Sequence, residues 1–233
     1  MITPIEINGV KVYPYVDFQS IVDVAYRDKL MLFSANAEIL SNKDVEFKTI
    51  LNKGIAYPDG VGAVMALKKK GAKNAVKIPG CELWLEVVKT GYKDKTFYFV
   101  GSKQEVIDTT VEKIKLEYPG INIINYRNGY VKTVEERTAL INDIVQKKPD
   151  VVFIAMGMPM QEKLVAELYE QHKAVYMGLG GSFDVYSGYV KRAPKWWINH
   201  NLEWAYRLVK EPKRNKRQIH LVRFLILLKL GKF

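Results

Sequence analysis

The sequence predicts an α/β protein on a doubly wound, mostly parallel sheet of about six strands, followed by a basic, helical C-terminal appendage. Three observations predict it. Short β-rich apolar runs alternate with stretches of helical periodicity along most of the chain. One run, Val151 to Ala155, is apolar at every residue, the pattern of a strand buried on both faces of a parallel sheet. Several runs end in glycine- or proline-bearing turns that lead into a helix, the rim where open α/β sheets bind ligands.

With 233 residues, 48% of them hydrophobic, the chain can bury one sizeable core, read as a catalytic domain over residues 1–188 with the appendage over 189–233. Met1 opens no charged and then apolar leader, and no run reaches about 18 apolar residues, so neither a signal peptide nor a spanning helix is expected and the work is cytosolic. A single cysteine, Cys81, excludes an internal disulfide. His172, His200 and His220 have no metal-site spacing, so no metal is expected. Twelve of the 36 Lys/Arg and two of the 25 Asp/Glu lie in Tyr189 to Phe233, so this stretch carries +10 of the net +11. A near-neutral domain with one basic end points to a localised polyanionic partner: phosphate groups, an anionic membrane face or nucleic acid.

In chain order, Ile5 to Tyr13 reads as a hairpin turning at Asn8-Gly9, and guards a sheet edge. Asp17 caps a helix to about Arg27, and Leu30 to Ser34 is the first main strand. Asn36 follows at its carboxyl end, suited to cap the next helix or to meet a ligand; the cap is the simpler reading. Ile55 to Tyr57 is a short strand ending in Pro58-Asp59-Gly60, where Asp59 either hydrogen-bonds its own turn or serves as a general base. Gly80 opens a helix whose Leu83, Trp84, Val87 and Val88 form a core-facing stripe. Thr96 to Val100 and Ile121 to Asn125 are strands, with helices from about Gln104 to Tyr118 and, behind the capping box Thr133-Val134-Glu135-Glu136, to about Lys147. After Val151 to Ala155, Gly157 turns the chain and Pro159 suits the first helical position, with Gln161, Glu162 and Lys163 in the first turn; Glu162 there favours the helix dipole.

Ala174 to Met177 is the last strand, and Gly178, Gly180 and Gly181 permit close approach of a diphosphate. Neither this turn nor Gly157-Met158-Pro159 fits G-x-G-x-x-G, so a nicotinamide site is poorly supported; a nucleotide lying across both turns is the expectation. In the tail, Trp196, Trp197 and Trp204 stand among aliphatic residues, at least one of them expected in the core and the others suited to a bilayer interface. Lys213, Arg214, Lys216 and Arg217 precede Leu221, Val222 and Phe224 to Leu228, which reads as an interfacial anchor or as a helix capping the domain.

These residues resemble the WecG/TagA/CpsF family of bacterial glycosyltransferases. The resemblance runs through Ser34-Ala35-Asn36-Ala37-Glu38, Pro58-Asp59-Gly60, Gly157 to Lys163, Gly178 to Asp184, Arg192 to Trp196, Leu202-Glu203-Trp204, Tyr206-Arg207-Leu208 and Glu211 to Arg214. It implies a Rossmann-like transferase that moves an N-acetylmannosamine-type sugar from UDP to undecaprenyl-diphosphate-linked N-acetylglucosamine. The enzyme would sit peripherally on the inner face of the cell membrane and serve surface polysaccharides such as wall teichoic acid. It further implies Asp59 as the base, Asn36 and Gln161 near sugar and nucleotide, and Gly180-Gly181 at the UDP phosphates. Ser34, Gly157, Pro159, Glu162, Phe183, Asp184 and Arg192 fall in the same matched segments, and Gly80 closes Lys77-Ile78-Pro79-Gly80, set against the family's arginine before Val-x-Gly. Lys77 stands where the family commonly has arginine, which removes bidentate phosphate recognition, and Ser34 where threonine is usual.

Residue chemistry agrees with such a reaction. Displacing UDP needs a base on the incoming hydroxyl and positive charge on the departing diphosphate. No Asp-x-Asp is present to hold a metal, so Arg207, Arg214 and Arg217 are the candidates, and membrane docking of the tail would then complete the site. No cofactor beyond the UDP-sugar is expected, and a homo-oligomer could cover the apolar tail. Other donors, such as an N-acetylmannosaminuronic acid or glucose or galactose type, differ by a few contacts. Two readings of other classes are a nucleotide-dependent oxidoreductase, opposed by the missing fingerprint, and a nucleic-acid binder. The tail tryptophans, set among aliphatics, oppose the latter.

Overall fold

The computed structural model describes residues 2–200, 202–210 and 215–231; the side chains of 199, 207–210 and 215–221 fall outside the described set. Its sheet holds eight strands: β1 (Ile5–Ile7), β2 (Val10–Val12), β3 (Met31–Ala35), β4 (Ile55–Pro58), β5 (Thr96–Gly101), β6 (Asn122–Arg127), β7 (Val151–Ala155) and β8 (Val175–Gly178). Their order is β1-β2-β4-β3-β8-β7-β5-β6, parallel throughout except for β1 against β2.

The count is eight rather than about six because the N-terminal hairpin joins the sheet. Asn8 and Gly9 both take positive φ, as a two-residue hairpin turn requires, and pair Ile7 with Val10. Ile7, Val10 and Val12 are fully buried, and Tyr13 N–H donates to Ala56 O at 2.9 Å, which fastens the hairpin alongside β4. It therefore occupies the edge, as its sequence suggested.

Helices cover both faces. Strand residues alternate between two cores, so Phe33, Val152 and Ile154 pack with α3 (Val45–Leu51), α4 (Val61–Lys69), α7 (Val134–Lys147) and α8 (Met160–Gln171). Leu32, Phe97 and Phe153 pack with α1 (Phe18–Asp28), α5 (Gly80–Gly91) and α6 (Gln104–Glu117). Asp17 caps α1 and Thr133 with Glu136 closes a capping box on α7, both as read. Trp84 of α5 is fully buried, edge-on to Phe153 at 5.6 Å and to Phe183 at 5.7 Å between ring centroids. Two short helices follow the strands β3 and β8: α2 (Ala37–Leu40) and α9 (Ser182–Ser187).

Residues 189–233 contribute α10 (Lys195–Asn199), α11 (Glu203–Lys210) and α12 (Asn215–Lys229). Phe224 and Leu228 of α12 are buried against α2 and α4. Gly62 makes room for the ring, since a Cβ there would lie 3.3 Å from it. Lys69 donates to the carbonyls of Leu228 and Lys229 at the end of α12. The opposite side of α12 leaves Val222, Ile226 and Leu230 exposed. None of the tail tryptophans is in the core: Trp196 is exposed and Trp197 and Trp204 are half-buried. Among the described residues no helix is long and apolar enough to cross a membrane.

Replacing Phe224 with alanine should lower unfolding free energy in urea by about 3–5 kcal/mol, as for other buried rings. An unchanged midpoint would mean that α12 does not belong to the core.

Candidate active site

The four central strands β4, β3, β8 and β7 end side by side, and their carboxyl ends open into one cavity of about 530 Å³. Each strand delivers one turn. After β3, Asn36 Oδ1 accepts from Ile39 N–H at 3.0 Å, so it is the cap of α2, and it also lines the cavity. After β4, Asp59 N–H donates to Ala35 O at 2.9 Å, Gly60 takes φ +123°, and Ile78 N–H donates to Pro58 O at 2.8 Å. This ties the Lys77–Pro79 loop beside Asp59.

After β7, Gly157 turns at φ +78° and a cis Met158–Pro159 peptide leads into α8. Pro159 therefore precedes the helix, which begins at Met160, instead of occupying its first position. After β8, Gly180 turns at φ +55° into α9. Gln161 joins these last two turns: its Oε1 accepts from Gly157 N–H at 3.1 Å and from Gly180 N–H at 3.0 Å. Its Nε2 donates to Glu162 Oε1 at 2.8 Å. The carboxamide lies against Gly178, where any Cβ would come within 2.8 Å of Nε2.

Glu162 is 2% exposed, far more buried than a dipole-compensating surface carboxylate. Burial raises its pKa, and the Gln161 hydrogen bond opposes that rise. Its Oε2 has no hydrogen-bond partner among the described residues, and neither does the hydroxyl of Tyr57, also fully buried and also in the wall. Burial first, then the Asp59 carboxylate, pushes the Tyr57 phenol well above its usual range. Cys81 is pushed up to about 11, chiefly by burial.

The structure brings Ser34, Asn36, Asp59, Lys77, Gly80, Gly157, Gln161, Glu162, Gly180, Gly181 and Asp184 into one wall. Asp184 Oδ2 also accepts from Ser102 Oγ at 3.0 Å, which binds α9 to the turn after β5. Three expected residues stand elsewhere. Pro159 is exposed outside the wall, Phe183 is fully buried in the aromatic cluster around Trp84, and Arg192 pairs with Glu82 of α5. Arg214 and the side chains of Arg207 and Arg217 lie outside the described residues. Sequence reasoning passed over Tyr57, Cys81, Lys191, Glu203 and Trp204, all in the wall. Tyr57 carried a signal, a polar tip two residues before Asp59, and Glu203 and Trp204 stood in the segment Leu202-Glu203-Trp204 that shares in the resemblance. The Gly180 N–H, expected to face a diphosphate, is already taken by Gln161.

Gln161→Ala leaves two part-buried N–H groups, those of Gly157 and Gly180, without their acceptor and should cost about 1–3 kcal/mol in chemical denaturation. Glu162→Gln should raise the melting temperature near neutral pH. A carboxyl with a raised folded-state pKa costs nothing below its unfolded value and destabilises as pH rises toward the folded one, so the gain should vanish below about pH 4. A pH-independent difference would contradict it.

Against known proteins, the chain matches the Glycosyl transferase WecG/TagA/CpsF family over residues 5–232. It is 37% identical over 224 residues to the N-acetylglucosaminyldiphosphoundecaprenol N-acetyl-beta-D-mannosaminyltransferase of Bacillus subtilis, covering 91% of this chain and 86% of that protein. It is 36% identical over 217 residues to the enzyme of the same name from Bacillus spizizenii, covering 89% and 82%. These matches favour neither the oxidoreductase nor the nucleic-acid reading. With the cavity at the carboxyl edge of a parallel sheet and a match along nearly its whole length, the chain belongs to the WecG/TagA/CpsF glycosyltransferase family.

Proposed function

We propose that this protein transfers N-acetylmannosamine from its UDP conjugate to N-acetylglucosaminyldiphosphoundecaprenol at the cytoplasmic membrane face, a step in building a surface polysaccharide such as wall teichoic acid. The names of the Bacillus relatives support the transferred sugar and the lipid acceptor. The observation that carries the chemistry is Asp59, half-buried at the end of β4 in the cavity where four turns meet.

In this reading Asp59 takes the proton of the acceptor hydroxyl as its oxygen attacks the anomeric carbon, and UDP leaves with the electrons of the broken carbon–oxygen bond. Gln161 is a positioning residue, since both ends of its carboxamide are engaged in holding the turns. Asn36 likewise fixes the start of α2 at the cavity rim. Charge on the diphosphate falls to Lys77 and Lys191 in the wall and to Arg207, Arg214 and Arg217 of the basic tail, with no metal ion. Exposed Trp196, Val222, Ile226 and Leu230 are suited to the bilayer interface, where the lipid acceptor resides.

The test is UDP release with a short-chain lipid-diphosphate N-acetylglucosamine and a panel of UDP-sugars in EDTA. One UDP-N-acetylhexosamine should turn over, and Asp59→Asn should lose about 100-fold or more. Full activity of the variant would remove Asp59 as the base, and a requirement for divalent metal would overturn the metal-free mechanism.

A further inference from the structure

Tyr57 and Glu162 are the part of the cavity that its own protein leaves unsatisfied. Both side chains are at most 2% exposed, and both line the cavity. Among the described residues Tyr57 Oη and Glu162 Oε2 have no hydrogen-bond partner, although Glu162 Oε1 is bonded by Gln161. Buried polar atoms are nearly always paired, and leaving one unpaired costs about 1–3 kcal/mol, so two in one wall indicate that a ligand completes them.

The position of the phenol relative to the base is fixed by Gly80. A Cβ on that residue would fall 2.8 Å from Tyr57 Oη and 3.3 Å from Asp59 Oδ2, so phenol and base both pack against the Cα of Gly80 and are neighbours. Tyr57, Asp59, Cys81 and Glu162 line the same cavity, and after burial the other three raise the Tyr57 pKa. The phenol stays protonated and donates; the carboxylate accepts. Pro79 and Cys81, in the same wall, add apolar surface. A sugar hydroxyl can meet both polar atoms but leaves that apolar surface bare, whereas a secondary amide with a methyl group uses all three.

We propose that Tyr57 and Glu162 form a subsite for the 2-acetamido group of a hexosamine, Tyr57 donating to the amide carbonyl and Glu162 accepting its N–H. The subsite makes this pair a specificity determinant beside the base. It rests on the reading of the cavity as a hexosaminyltransferase site, and either sugar, donor or acceptor, brings the same group.

Calorimetric binding distinguishes the sources. One arm compares UDP-N-acetylmannosamine with UDP-mannose; the other compares a short-prenyl diphosphate bearing N-acetylglucosamine with one bearing glucose. The wild type should prefer the acetamido ligand in one arm, and Tyr57→Phe, which keeps the ring, should reduce that preference by about tenfold, the worth of one buried hydrogen bond. Glu162→Gln should reduce it as well, because it replaces one of the two acceptor oxygens, one facing Gln161 and the other the ligand N–H, with an NH2 donor. The arm in which the preference falls names the sugar. No preference in the wild type, or equal weakening of both members of each pair by the variants, overturns the proposal. Because binding is read, a protein that discriminates in this way but transfers no sugar would refute the proposed function and leave the subsite standing.

Discussion

The Gln161 carboxamide is the interaction on which the functional edge depends. One oxygen accepts from the turns after β7 and β8, and the nitrogen on the same group orients Glu162. The arrangement exists because β7 and β8 are hydrogen-bonded neighbours running in parallel, so their turns emerge side by side and a residue in the first turn of α8 can reach across. Gly178 completes the geometry by leaving the carboxamide room to lie flat. Removing the glutamine therefore disturbs two loops and one buried acid together.

The charge of the cavity has a consequence for anion binding. Glu38, Asp59, Glu162, Asp184 and Glu203 line it, against Lys77 and Lys191. A wall of that balance repels a nucleoside diphosphate unless cations come from elsewhere, and the tail carries +10 of the net +11. The same tail sends α12 back onto α2 and α4 through Phe224 and Leu228, next to Asn36 and Gly62 of the cavity rim. Donor binding, acceptor delivery and attachment of the tail are thus linked in the proposed mechanism.

Much of this was legible in the sequence for local reasons. A strand apolar at every residue, an Asn-Gly turn and a Thr-x-x-Glu box each specify their structure within a few residues, and β7, the hairpin and α7 formed accordingly. The turns bearing Asn36, Asp59, Gln161 and Gly180 were located because each follows such a strand. What escaped depends on distant contacts. Tyr57 looks like a strand residue, and only the fold places its hydroxyl in the cavity wall, where it has no partner among the described residues. Glu162 looks like a charge at a helix start, and only α8's seat between two strands buries it. Phe183, beside a glycine turn, was drawn into the aromatic cluster around Trp84. The two strands beyond six are those of the hairpin, whose edge position the sequence suggested but whose pairing with β4 rests on a contact distant in sequence.

The central claim concerns which sugar moves and onto what. The most direct measurement is mass spectrometry of the lipid product after incubating the protein with UDP-N-acetylmannosamine and a short-chain diphosphate-linked N-acetylglucosamine. The account predicts an acceptor heavier by one N-acetylhexosamine, with the diphosphate retained. Release of free sugar with the acceptor unchanged, or an acceptor extended only from a UDP-hexose lacking the acetamido group, would contradict it.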